Sequence, residues 1–77
     1  MQVKYDVLGK ITKGEKAGWY VKFIDDRENT GGFYVYKIKN LNGDEGFDTW
    51  LETENDVKGY IYESEWKIEW LDETGKL

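Results

Sequence analysis

Neither histidine nor cysteine occurs among the 77 residues, so any chemistry rests on 16 Asp/Glu, 11 Lys/Arg and 6 tyrosines. That removes the commonest general base, thiol nucleophiles, the usual catalytic triads and most transition-metal sites. Carboxylate pairs remain. Two of them set about 5–10 Å apart across a cleft can hydrolyse a glycoside, and Asp25/Asp26 or Asp44/Glu45/Asp48 supply the groups. A chain this short has little volume for a cleft once a core is built. These acids read as solvated loop residues, and the chain is expected not to be an enzyme.

Asn40, Asn42 and Asp44 recur at every second position, as at the start of a calcium-binding EF-hand loop. That loop needs glycine at its sixth position and a bidentate glutamate at its twelfth. Here Glu45 and Leu51 stand there. The match fails, and no metal or cofactor is expected. Tyr34 and Tyr36 on a strand could stack bases, but single-strand binders add a basic groove to such a platform. The chain carries a net charge of −5, which repels phosphates and disfavours direct nucleic-acid binding. A sugar-binding face would instead need exposed rings in a row. Trp19, Trp66 and Trp70 fall on apolar alternating faces and read as core.

Charge is unevenly distributed. Residues 1–39 hold eight Lys/Arg against five Asp/Glu, a balance of +3, whereas residues 40–77 hold three against eleven, a balance of −8. Asp44, Glu45, Asp48, Glu52, Glu54 and Asp56 lie within thirteen residues, with Trp50 among them. If they share a surface, they form a negative patch able to steer a basic protein partner, with Trp50 as its anchor. As capping and solubilising residues they would do no more than solvate an aromatic-rich domain.

The elements that must position these groups are short and punctuated by glycine. One domain is expected over 1–71, with a frayed tail over 72–77. Val3, Tyr5 and Val7 alternate with polar residues as in a half-buried strand, and the phase break at Leu8-Gly9 suggests a bulge. Trp19 to Ile24 forms a second strand, with Trp19, Val21 and Phe23 on one face. Phe33 to Lys39, dense in β-branched and aromatic residues, forms a third across the polar loop Asp25–Gly32. Phe47 to Leu51 is a short fourth.

Thr53 and Asp56 have the spacing of a capping box, and Val57, Tyr60 and Ile61 make a buried stripe, which predicts a helix over Glu54–Tyr62. Gly59 weakens that helix. Trp66, Ile68 and Trp70 alternate with Lys67 and Glu69 in a last strand. The order β-β-β-(β)-α-β predicts an α+β fold: a small antiparallel sheet of four to five strands with one short helix packed on one face. With thirteen aromatic residues and no staple from cysteine, the rings are expected to build the core first. No segment has transmembrane or signal-peptide character, and the lack of cysteine suits a reducing compartment, so a cytoplasmic, membrane-free location is expected.

Three stretches, Gly31-Gly32-Phe33-Tyr34-Val35-Tyr36, Gly46-Phe47-Asp48-Thr49-Trp50-Leu51-Glu52 and Trp66-Lys67-Ile68-Glu69-Trp70, resemble in tone and order the small acidic bacterial immunity-type proteins. These are single-domain inhibitors encoded beside secreted toxins. The similarity spans most of residues 18–71. It implies a protein that binds and blocks one toxin, often a nuclease, and assigns no individual residue a role. The sequence therefore favours a non-enzymatic protein-binding module, an acidic inhibitor of a basic partner. A small-ligand or carbohydrate-binding domain using exposed aromatics is the alternative, and self-association is a third course. The oligomeric state stays open.

Overall fold

The computed structural model describes residues 3–42 and 45–71. The frayed tail expected over 72–77, and Asp44 within the acidic run, lie outside these residues. Five strands, β1 (Leu8–Lys13), β2 (Tyr20–Asp26), β3 (Gly32–Ile38), β4 (Gly46–Leu51) and β5 (Lys67–Trp70), surround one helix, α1 (Glu54–Ser64), in the chain. All pairings between these strands are antiparallel, and the sheet order is β4-β3-β2-β1-β5. The α+β architecture follows from the alternation: β1 to β4 are sequential neighbours, and the chain crosses the sheet through α1 so that β5 closes on β1.

Alternation sorts the strands into two faces. Val21 and Phe23 of β2 and Phe33 and Val35 of β3 are buried beneath Val57 and Ile61 of α1, with Ile11 and Trp66 completing the core. The Phe23 ring meets Trp66 at 6.3 Å and Trp70 at 5.9 Å, so three aromatic groups from β2 and the last segment interlock. The Trp66 indole N–H donates to the Glu15 carbonyl at 2.6 Å, which ties the β1–β2 loop to the start of β5. Trp19, Trp66 and Trp70 all pack on this core.

The first strand differs from expectation. Asp6 takes a left-handed backbone (φ 62°), and Tyr5 makes only an isolated bridge to Phe23. The turn at Asp6 ends any strand running from Val3, so β1 begins where the alternating phase breaks. Gly9 is no bulge: an added Cβ would lie 2.5 Å from Ile68 Cγ2, and its missing side chain lets β5 approach. The register shift lies further on, between Ile11 and Lys13 opposite β5.

Thr53 caps α1 through the reciprocal pair with Asp56: the Asp56 N–H donates to Thr53 Oγ1 and the Thr53 N–H donates to Asp56 Oδ2. The helix runs two residues beyond the expected Tyr62, to Ser64, because Glu65 turns left-handed (φ 57°) and its N–H reaches the Ile61 and Tyr62 carbonyls. Lys37 of β3, on the core face, is buried at 6% exposure. Its ammonium donates to Thr49 Oγ1 and to the Tyr60 hydroxyl, each at 2.8 Å.

Candidate functional site

The antiparallel register carries two acidic loops to one end of the sheet. Asp25, Phe33 and Leu51 occupy one cross-strand row, which spans about 10 Å across three strands. The β2–β3 loop therefore lies beside the junction where β4 passes into α1. Asp25, Asp26 and Glu28 come from the first segment, and Glu52, Glu54 and Asp56 from the second. Asp6 and residues 25–29, which run from the end of β2 into the β2–β3 loop, line a polar depression of about 430 Å³.

Local bonds hold this acidic end together. Arg27 donates from Nε and Nη2 to the two oxygens of Asp25, at 2.9 and 2.7 Å, and its guanidinium lies 5.2 Å from the Phe33 ring centroid. The hydrogen bond from Arg27 holds the Asp25 carboxyl below its ordinary range. Tyr5 packs on the same Phe33 ring, at 5.5 Å between centroids, and its hydroxyl donates to Glu54 Oε2 at 3.1 Å. Burial, and then this bond to a carboxylate, push the Tyr5 phenol up to about 12. One arginine thus neutralises one carboxylate, the half-buried Asp26 accepts from Asn29 Nδ2 at 3.1 Å, and Glu28, Glu52, Glu54 and Asp56 are exposed.

Trp50 stands next to this end, on the face of the sheet that α1 leaves uncovered. It is 43% exposed, and its indole N–H donates to Thr30 Oγ1 of the acidic loop at 2.9 Å. That bond fixes the ring beside the carboxylates. Three cross-strand rows cover the open face: Trp50–Tyr34–Ile24, Asp48–Tyr36–Lys22–Leu8 and Ile38–Tyr20–Lys10. Tyr34 and Tyr36 lie 6.2 Å apart between ring centroids, and Tyr36 is 40% exposed.

The acidic residues singled out from the sequence thus fall into three places. Glu52, Glu54 and Asp56 gather at the acidic end, where Asp56 serves the helix cap and Glu54 accepts from Tyr5. Asp48 and Trp50 share the open face. Glu45 sits at the opposite end of β4, 3.8 Å from Lys39, and a six-residue strand separates it from Glu52 by about 20 Å. Asp44 lies outside the described residues.

Reading the chain linearly misses Asp25, Asp26 and Glu28 as partners of Glu52, because they are more than twenty positions away. The glycine pair at 31–32, which reverses the chain into β3, was the one local signal that could have brought them together. It also misses Tyr20 as part of the open face.

A wider hollow of about 840 Å³ lies elsewhere, between Val3, the last turn of α1 and the start of β5, with Ile61, Tyr62 and Trp66 among its walls. Among the described residues no group of three or more acidic side chains converges to hold a metal ion, and no helix is long and apolar enough to cross a membrane. Comparison with protein-family models, curated proteins and solved structures finds no match to the chain, so the acidic end and its tryptophan are read from their own chemistry.

Proposed function

We propose that this chain is a non-enzymatic protein-binding module, an acidic inhibitor of the immunity type that docks a basic partner at the end formed by the β2–β3 loop and the start of α1. The observation that carries this reading is Trp50, exposed yet hydrogen-bonded to Thr30 of the acidic loop. Interface energy concentrates in aromatic anchors ringed by polar groups. A tryptophan held still before binding loses little freedom on docking. The surrounding carboxylates steer a cationic surface toward it at enhanced rate. The absence of histidine and cysteine, and the resemblance of the three aromatic-rich stretches at 31–36, 46–52 and 66–70 to immunity-type proteins, support the same reading. The lack of cysteine fits action in the cytoplasm, and neither nucleic acid nor membrane enters the scheme.

The test begins with the protein that co-purifies with this chain from its source cell. Glu28→Lys/Glu52→Lys removes two carboxylates that make no hydrogen bond among the described residues. It should slow association with that protein by about tenfold or more at low salt and flatten the salt dependence. Trp50→Ala should mainly speed dissociation, by about tenfold to a hundredfold. Glu63→Lys/Glu69→Lys, away from the acidic end, serves as the control. Equal association rates for wild type and Glu28→Lys/Glu52→Lys would refute the assignment.

A second reading has its own observation. The rows of Trp50, Tyr34, Tyr36 and Tyr20 form an open aromatic face of the kind on which sugar rings stack. Tryptophan fluorescence titrated with a carbohydrate panel separates the two, since a protein-binding anchor leaves that signal unchanged by sugars.

A further inference from the structure

The two edges of the sheet are built differently. β5 has four residues, exposes Lys67 and Glu69, and lies against the register shift of β1. Short length, outward charge and irregular pairing are the devices that keep a sheet edge from recruiting another strand. β4 has six residues, Gly46–Leu51, in continuous register with β3 from Ile38↔Gly46 to Phe33↔Leu51, with no lysine, proline or bulge. Among the described residues its backbone makes no hydrogen bond beyond that ladder. Phe47 is exposed at 58% on one face of this edge and Trp50 at 43% on the other.

We infer that β4 is a docking edge, and that its occupant is an extended, basic segment of the partner, which adds to the sheet as a sixth strand. Strand addition takes its affinity from main-chain hydrogen bonds and its selectivity from alternate side chains. The occupant is chosen by charge. From residue 40 to residue 57 the chain has no lysine or arginine and six carboxylates. Two copies of β4 laid side by side would bring Asp48 and Glu52 of each close to those of the other, which disfavours a second copy of this chain. An incoming strand with arginine or lysine on the open face meets Asp48 and lies along Trp50, while apolar side chains on its other face meet Phe47. This inference rests on the proposed function, because it supplies the element by which the basic partner is held.

The test uses a synthetic peptide of about eight residues in which arginine alternates with valine, blocked at both ends, against three comparators. These are its fully N-methylated analogue, its glutamate-for-arginine analogue and the Asp48→Lys variant of the protein. Amide chemical shifts and hydrogen exchange are followed by NMR. The expected result is saturable binding with slowed exchange at amides of residues 47–51. N-methylation should weaken it by about tenfold or more and Asp48→Lys by about fivefold, from lost hydrogen bonds and a lost charge pair respectively.

If the N-methylated peptide binds within about threefold of the parent, with shifts at residues 25–31 and 52–56 alone, the edge is not used and the inference falls while the acidic-end reading stands. If the glutamate peptide binds as well as the arginine peptide, or neither binds, both fall. Concentration-dependent dimers with protected β4 amides in the absence of peptide would overturn the choice of occupant.

Discussion

Gly32→Ala should disable the proposed anchor while leaving every charged residue in place. Gly32 begins β3, and the space where a methyl group would go is filled by the Trp50 ring and the Leu51 carbonyl oxygen. The carbonyl belongs to the β3–β4 ladder and moves only if that pairing loosens. The ring can swing outward, but it then leaves Thr30 Oγ1, its hydrogen-bond acceptor at 2.9 Å. Overpacking of this kind costs roughly 1–3 kcal/mol, and the indole bond adds about 1 kcal/mol. A domain of this size loses about 4–8 °C of melting temperature per kcal/mol, so the variant should melt roughly 10–25 °C below wild type.

Urea unfolding followed by circular dichroism measures the stability, and exchange of the Trp50 indole proton by NMR reports on the ring. Thr30→Val separates the two causes, because it deletes the acceptor, and with it the Thr30 hydroxyl's bond to the Asp26 carbonyl, without crowding the ring, and should cost about 1–2 kcal/mol. A Gly32→Ala protein within about 0.5 kcal/mol of wild type whose indole proton still exchanges slowly would refute the packing argument.

Four further outcomes follow from the interior and from the titrating groups. Gly59 lies within α1 and a methyl group there meets nothing within 4 Å, so Gly59→Ala should raise stability by about 1 kcal/mol in urea unfolding, and no gain would mean the helix is strained at that point. Lys37 is buried between two hydroxyls with no carboxylate in reach among the described residues. Lys37→Met should therefore stay within about 1 kcal/mol of wild type or exceed it, whereas Lys37→Ala should lose roughly 2–4 kcal/mol by leaving a cavity; equal losses in both variants would show that the ammonium itself is required.

The Tyr5 phenol, raised to about 12 in the folded chain from an ordinary 10, contributes stability that is full below pH 10 and declines as pH rises from 10 toward 12. Tyr5→Phe should remove that decline, and tyrosinate absorbance of Tyr5 appearing near pH 10 would contradict it. At the other extreme the lowered Asp25 carboxyl contributes above its ordinary 3.8 and loses that contribution as pH falls through its folded value, so Arg27→Gln should flatten the acid limb of the stability curve.

Much of the architecture was legible in local pattern. Val21-Lys22-Phe23 and Phe33-Tyr34-Val35 alternate because one face of each strand is buried, and a side-chain period of two survives in any sheet the strand joins. Thr53 and Asp56 announced the start of α1 because a cap is made between residues three apart. Trp66, Ile68 and Trp70 announced β5 for the same reason as the other strands. The first strand misled because Asp6 adopts a left-handed turn that no period records, and Gly9 misled because its smallness serves β5, which follows it by almost sixty residues.

What the sequence determined by itself was the set of elements, the inward residues and the absence of histidine and cysteine chemistry. Only the tertiary structure decided which acids stand together. Asp25 joins Glu52 and Glu54 because the β2–β3–β4 register stacks Asp25, Phe33 and Leu51 in one row, while Glu45, seven residues from Glu52, is carried to the far end by an extended strand. The same register decided that Trp50 points away from the helix and that β4 forms an edge. Neighbourhood along a strand separates charges by about 3.3 Å per residue, whereas pairing across strands brings distant residues within about 5 Å, and a surface is made by the second distance.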